Sequence, residues 1–256
     1  MKKKQTYRHK NAERLSLDTT PGEIITISAE TKQLFEEGQV LLIDKPLHWT
    51  SFDMVRKIRG MLRIKKVGHA GTLDPLATGL LIICTGKFTK KINEYMAAVK
   101  EYTGSFTLGA VTPTYDLESL PEQEKDFSFV TEELLQATVK KFEGEIDQFP
   151  PVYSAIKKEG VALYELARRG EEVELKSRKI SIYNFTITSV EFPIVYFKVS
   201  CSTGTYIRSL AHDVGRDLGC GAYLSSLRRT KIGEFTVEDA ETIGQFIARI
   251  KEMPFS

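Results

Sequence analysis

Gly68-His69-Ala70-Gly71-Thr72-Leu73-Asp74-Pro75-Leu76-Ala77-Thr78-Gly79-Leu80-Leu81-Ile82-Ile83-Cys84 sets a glycine-rich loop directly against an uninterrupted apolar run. Three glycines and a proline within Gly68–Gly79 mark irregular backbone. Leu80–Cys84 is short and continuously apolar, which predicts a strand buried on both faces. Pro75 restricts Asp74 to extended conformations, and the flanking glycines let a ligand come close to the backbone. The loop therefore presents a carboxylate at a constrained place. Asp-Pro also initiates turns, so a turn-capping role for Asp74 stands beside a chemical one.

Outward from the loop, helices and strands interleave without a βαβ rhythm. Val40-Leu41-Leu42-Ile43 reads as a buried strand stopped at Asp44-Lys45-Pro46. Thr50-Ser51-Phe52-Asp53 has the form of a capping box, and Phe52, Val55, Ile58 and Met61 are expected on the buried face of the helix it opens. Downstream, Phe88, Ile92, Tyr95, Met96 and Val99 predict a helix, Tyr102–Leu108 a strand, and the acidic stretch 114–128 a loop. A helix opens at Thr131-Glu132-Glu133 with Leu135, Val139 and Phe142 on one side, and Phe149-Pro150-Pro151 breaks the chain. Val161–Arg169 is expected as a short helix closed by Gly170. Ile180, Ile182, Phe185 and Ile187 pair with Val195, Phe197 and Val199 as two antiparallel strands joined near Pro193. Thr205–Leu218 is a helix with Ile207, Leu210, Ala211, Val214 and Leu218 in one stripe. Tyr223–Ile232 follows, then a last helix around 239–251. The expected fold class is α+β, a mixed, largely antiparallel sheet flanked by helices over 38–256. Residues 1–37, with a basic start and the β-like Glu23–Ile27, are expected as an N-terminal extension.

The 256 residues, 41% hydrophobic and 27% charged, suit a globular protein with a substantial core. No apolar stretch approaches the roughly 20 residues that span a bilayer. Met1-Lys2-Lys3-Lys4-Gln5 is not followed by a secretory signal. Three scattered cysteines, Cys84, Cys201 and Cys220, suggest neither disulfides nor zinc and point to the cytoplasm.

The net charge of +2 conceals segregation. Residues 56–66 carry six positive charges and no negative one, and Lys87, Lys90, Lys91, Arg228, Arg229 and Lys231 add to them. Acids collect in 116–126 instead. Such a distribution suits a polyanion, or equally a solvated helix face. Phosphate-loop, dinucleotide, serine-hydrolase and zinc-deaminase patterns all fail on spacing. Chemistry here is expected to use ordinary side chains, with no cofactor and no metal.

The loop Gly68–Gly79 resembles the catalytic loop of the bacterial tRNA pseudouridine synthase B family. Leu42–Pro46 with Thr50-Ser51, Lys100-Glu101-Tyr102, Gly109 with Thr112–Asp116, Gln148–Ala155, Cys201–Arg208 and Leu227-Arg228-Arg229 are similar to that family's other motifs, in its order. The resemblance runs over roughly residues 38–235 and implies the pseudouridine synthase fold. It implies isomerisation of a T-loop uridine in tRNA by base flipping, with the T-arm stem-loop as partner, no membrane and no obligate protein partner.

By the same resemblance Asp74 is the attacking carboxylate, Arg208 the arginine that pairs with it, and Tyr102 the tyrosine that stacks on the flipped base and serves proton transfer. Tyr206 and Leu227 would line the uridine pocket, and His69 would take the place of the extruded nucleotide. Lys45 is expected to support the floor of the site or a phosphate. About two dozen residues follow Arg229, so the short form, without the family's C-terminal RNA-binding domain, is expected. Basic residues in Lys2–Arg14 could then add phosphate contacts. The competing readings are a non-catalytic tRNA-binding or tRNA-folding protein on the same scaffold, and a nucleotide-dependent enzyme. Asp74, Tyr102 and Arg208 together favour catalysis.

Overall fold

The computed structural model describes residues 27–154, 157–158, 161–162, 169 and 175–253. The chain forms two compact units, residues 1–98 with 228–256, and residues 99–227.

In the first unit the apolar run becomes strand β3 (Ala77–Thr85), preceded by β1 (Val40–Lys45) and β2 (Val67–His69). Both β1 and β2 pair antiparallel with β3, and the short β12 (Glu241–Thr242) lies parallel to β1. The Arg228–Ile232 end of β10 (Ala222–Ile232) borders the other side of β3 and turns back into β11 (Phe235–Thr236). Leu81 and Ile83 enter one core cluster with Phe35, Met54, Ile58, Leu62, Phe246 and Ile250. Leu80, Ile82 and Cys84 enter a second with Ile232 and Val237. A strand with a core on each face has no polar side, which is why this one reads as an unbroken apolar run.

Helix α1 (Ala29–Glu37) lies within the expected extension, capped by Ser28, and it buries Phe35 in the first cluster. Residues 1–26, including Lys2–Arg14 and most of Glu23–Ile27, are outside the described residues. Helix α2 (Ser51–Leu62) has both arms of the Thr50/Asp53 capping box. Its buried face differs from the expected one: Met54, Val55, Ile58 and Leu62 point inward, and Phe52 is 60% exposed. Spacing of three turns the face back by about 60° each step, so four such residues spread over half the helix. Mixed steps of three and four stay on one side.

The helix expected through Phe88–Val99 is instead a 3₁₀ segment (Gly86–Lys91) followed by the short α3 (Ile92–Ala97), with Met96 and Val99 exposed. Phe88, Ile92 and Tyr95, spaced four and three, still pack against the second cluster. The last helix, α6 in this count, spans Ile243–Glu252 with a Thr242/Gln245 capping box. It starts later than expected because Val237–Asp239 forms a 3₁₀ turn.

The second unit is an antiparallel sheet in the order β4 (Lys100–Leu108), β9 (Ile194–Cys201), β8 (Arg178–Glu191), β5 (Gly144–Gln148). The Ala222–Leu227 half of β10 borders β4. Phe106, Phe185 and Phe197 pack at its centre, with ring centroids 5.8 and 5.7 Å apart. Register shifts in β8 between Ile182 and Asn184 explain how Ile182 and Phe185, three apart, both face inward. Helix α4 (Glu132–Lys140) is capped by Thr131 and buries Leu135 and Val139.

Helix α5 (Ile207–Leu218) buries the whole expected stripe and closes at Gly219, in the left-handed conformation. Val161-Ala162, expected to begin a helix, form a short strand β7 paired with β6 (Lys157–Lys158). The rest of that expected helix, apart from Arg169, is outside the described residues.

Candidate active site

In the first unit the loop bearing Asp74 is tied down on both sides. Ser51, 1% exposed at the start of α2, accepts a hydrogen bond from the Leu73 amide at 2.8 Å and donates to the Leu73 carbonyl at 3.2 Å. The Pro75 carbonyl accepts from the His48 amide at 2.7 Å, and the Asp74 carbonyl accepts from Ala77 at 3.0 Å. Asp74 is half-buried between these anchors. Arg229 holds the loop's outer ends. Its guanidinium is 1% exposed and donates to the Gly71 carbonyl at 3.1 Å and the Leu80 carbonyl at 2.8 Å. Gly79, at φ 100°, lets β3 pass against the Arg229 backbone, where a Cβ would collide.

His69 ends β2, one strand position before the loop. Burial holds its imidazole below the usual histidine value, and the Arg229 guanidinium pushes the same way, so the ring is neutral at pH 7. Lys45 continues the inward alternation of Leu41 and Ile43 and is fully buried. Its ammonium donates to the carbonyls of Trp49 at 2.6 Å and Pro46 at 3.0 Å. At 0% exposure this ammonium is closed to a phosphate, the second of its two expected roles. Arg228 makes a two-point pair with Asp44, at 2.9 and 2.7 Å.

In the second unit Tyr206 sits at the N-cap of α5 and Arg208 in its first turn. Gln148 clamps Tyr206 by accepting from its amide at 2.8 Å and donating to its carbonyl at 3.0 Å. The Arg178 guanidinium lies 4.6 Å from the centre of the Tyr206 ring. Arg208 is buried, donates to the Thr114 carbonyl at 3.0 Å and the Tyr153 carbonyl at 3.1 Å, and has the Asp116 carboxylate 3.5 Å from its Nε. Asp116 is itself buried and is fixed by accepting from the Glu118 amide. Tyr102 is buried on β4, and Leu227 is half-buried on β10.

His69, Asp74 and Lys45 thus belong to one unit, and Tyr102, Tyr206, Arg208 and Leu227 to the other. Chemically, the first unit offers a carboxylate on pinned backbone and, five residues earlier, an imidazole whose neutral form burial favours. The second offers two tyrosines and a buried, pre-oriented guanidinium. Among the described residues no cluster of His, Cys, Asp or Glu could hold a metal ion.

Ser51, Gln148, Asp116 and Arg229 stand within the motifs of the sequence, which gives none of them a role of its own. Asp116 was counted with the acidic loop, yet it is buried against Arg208. Its signal was its place at the end of Thr112–Asp116, after two threonines whose hydroxyls donate to its carbonyl. Arg229 is a charged residue buried within a strand, where Ala222, Leu224 and Ile232 are the other buried positions.

A family model described as the TruB family pseudouridylate synthase N-terminal domain matches residues 59–207, more than half the chain. This chain belongs to the TruB family. A second model, the tRNA pseudouridylate synthase B C-terminal domain, matches residues 208–252 of this TruB member, which begin at Arg208 and end in α6. Proteins named tRNA pseudouridine synthase B are similar over most of its length. The one from Flavobacterium johnsoniae is 55% identical over 84% of this chain and 97% of its own. Those from Parabacteroides distasonis and Clostridium tetani are 49% and 51% identical, over 80% and 78% of this chain and 89% and 70% of theirs. Among solved structures, a chain of a Cbf5-Nop10-Gar1 complex matches with a TM-score of 0.67 and 31% identity over 90% of this chain, which spans 60% of that one. A chain of an H/ACA RNP bound to a substrate RNA containing 2'-deoxyuridine matches at 0.64 and 28%, and this chain spans 59% of it. The fold class read from the sequence, α+β with a mixed sheet and flanking helices, is the one these neighbours share.

Proposed function

We propose that this TruB family member isomerises a uridine in the T-loop of tRNA to pseudouridine, with Asp74 as the attacking carboxylate. Tyr102 and Arg208 are the other catalytic residues. Tyr206, Leu227 and His69 receive the nucleotide, and Lys45 supports the floor. The observation that carries the reading is the mounting of Asp74: a carboxylate on backbone pinned at Leu73, Pro75, Gly71 and Leu80, in a chain whose relatives are named for this activity. A nucleophile gains from such fixed placement, because reacting atoms must meet in a narrow geometry.

The reaction breaks the glycosidic carbon–nitrogen bond and makes a carbon–carbon bond from the same sugar to the turned base. A proton leaves the ring carbon and the nitrogen gains one, so nothing is oxidised or reduced. The target lies in a folded loop and must be unstacked to reach Asp74. The neutral, half-buried His69 is suited to filling the space left behind. The T-arm stem-loop is the partner, and a cytoplasmic location goes with a tRNA substrate and three buried cysteines outside any disulfide.

The test is to incubate the purified chain with an unmodified tRNA transcript and map pseudouridine by carbodiimide adducts that stop reverse transcription. One product, in the T-loop, is expected. Product confined to another arm overturns the substrate assignment. Tight tRNA binding with no product favours the non-catalytic binder.

A further inference from the structure

Helix α2 carries an exposed stripe that the expected chemistry does not use. Phe52, Arg56 and Arg59 follow one another at steps of four and three, which keeps them within about 60° of one another around the helix, and Arg63 follows as its left-handed C-cap. All four are exposed, and Phe52 shows 60% of its surface. Lys65 and Lys66, also exposed, extend the charge past the end of the helix. The one acid in this stretch, Asp53, is occupied by the capping box and by Arg56 at 2.9 Å. At Gly60, beside the stripe, a side chain would meet open space, so nothing covers this part of the helix. The stripe begins next to Ser51, the residue that holds Leu73 and hence the loop of Asp74.

We propose that this stripe is a docking surface for the RNA substrate, on which Phe52 stacks against an unpaired base and Arg56, Arg59 and Arg63 take successive phosphates. The inference rests on the reading of tRNA as substrate and adds where, on the first unit, the RNA lies. A merely solvated helix face would account for the arginines. It does not account for a large aromatic side chain left in water at the head of the same stripe. Nucleic acid answers both features, because a base has an apolar face and its backbone a regular negative charge. The stripe is about 16 Å long at 1.5 Å per residue, enough to follow a short run of nucleotides from the loop outward.

The test measures binding of the full chain to a fluorescent, unmodified tRNA transcript by anisotropy across a salt series, with product formation followed in parallel. Phe52→Ala is expected to weaken binding about tenfold without changing the salt slope, and Phe52→Trp to restore it. Arg56→Gln, Arg59→Gln and Arg63→Gln are each expected to lower the salt slope by about 1. Lys179→Gln, an exposed lysine of the other unit, is the control and leaves both unchanged. Phe52 is exposed, so its replacement leaves the core intact. Wild-type affinity and slope in Phe52→Ala and in a variant that combines Arg56→Gln, Arg59→Gln and Arg63→Gln, with normal product formation, overturn the stripe and leave the catalytic reading standing. The same unchanged binding with an altered oligomeric state assigns the stripe to a second copy of the chain and also overturns the proposal. Absence of product from the wild type strikes the catalytic reading instead, and loss of affinity in the variants would still support the stripe.

Discussion

Replacing Ser51 with alanine removes one oxygen atom and tests how the Asp74 loop is held. That oxygen makes two hydrogen bonds to Leu73, 2.8 Å from the amide and 3.2 Å from the carbonyl, and both residues are buried. The variant leaves a buried N–H without its partner, at a cost of about 1–3 kcal/mol. The carbonyl adds up to about 1 kcal/mol, since a net hydrogen bond is worth that much. Alanine's better helix propensity at the first position of α2 returns about 0.5 kcal/mol. The expected loss is about 2 kcal/mol. Trp49, the single tryptophan, is buried in the core that α2 packs into, so its fluorescence during urea unfolding reports on this unit. Because Leu73 precedes Asp74, the looser loop is also expected to lower the rate of pseudouridine formation about tenfold or more at saturating tRNA. A stability change below about 0.5 kcal/mol with an unchanged rate would refute the reasoning, since it would mean that the Ser51 anchor does not hold the loop.

Asp116→Asn keeps the shape and removes the charge beside buried Arg208; a loss of about 3 kcal/mol in urea unfolding and a fall in the rate at saturating tRNA are expected, and a neutral variant would mean that the carbonyls of Thr114 and Tyr153 suffice. His69 and His212 both have their pKa values lowered, mainly by burial, with Arg229 and Arg216 respectively adding to the effect. The unfolded chain then binds their protons more readily than the folded one, so their contribution to stability is full above the unfolded value of about 6.5 and is lost as the pH falls from there through the lowered folded values. An NMR titration is expected to find both rings mostly neutral at that pH, and rings half-protonated there would contradict the burial argument.

Much of this molecule could be read in its sequence because local signals and tertiary demands agreed. The run Leu80–Cys84 could only be a strand with a core on each face, and Thr50–Asp53 could close a capping box by itself. The stripe of α5 follows the helical period from Ile207 to Leu218. Phe52 was misplaced because a step of three looks periodic in a list of residues but wanders around a helix. The Phe88–Val99 segment was misread because apolar spacing does not distinguish one helix from a 3₁₀ turn followed by two short turns of α-helix. In the candidate site, the resemblance singled out Asp74 and its partners, while the residues that hold them stayed hidden. Ser51 works across 22 positions of sequence and Arg229 across about 150, and no local pattern carries contacts of that range.

The most direct measurement is single-turnover pseudouridine formation by Asp74→Asn on a T-arm stem-loop RNA, with binding measured on the same preparation. The substitution keeps the size of the side chain and abolishes the carboxylate nucleophile. Unimpaired binding with no detectable pseudouridine is the predicted result. Formation of pseudouridine at the wild-type rate would contradict the account, because the attacking group would then have to be another residue.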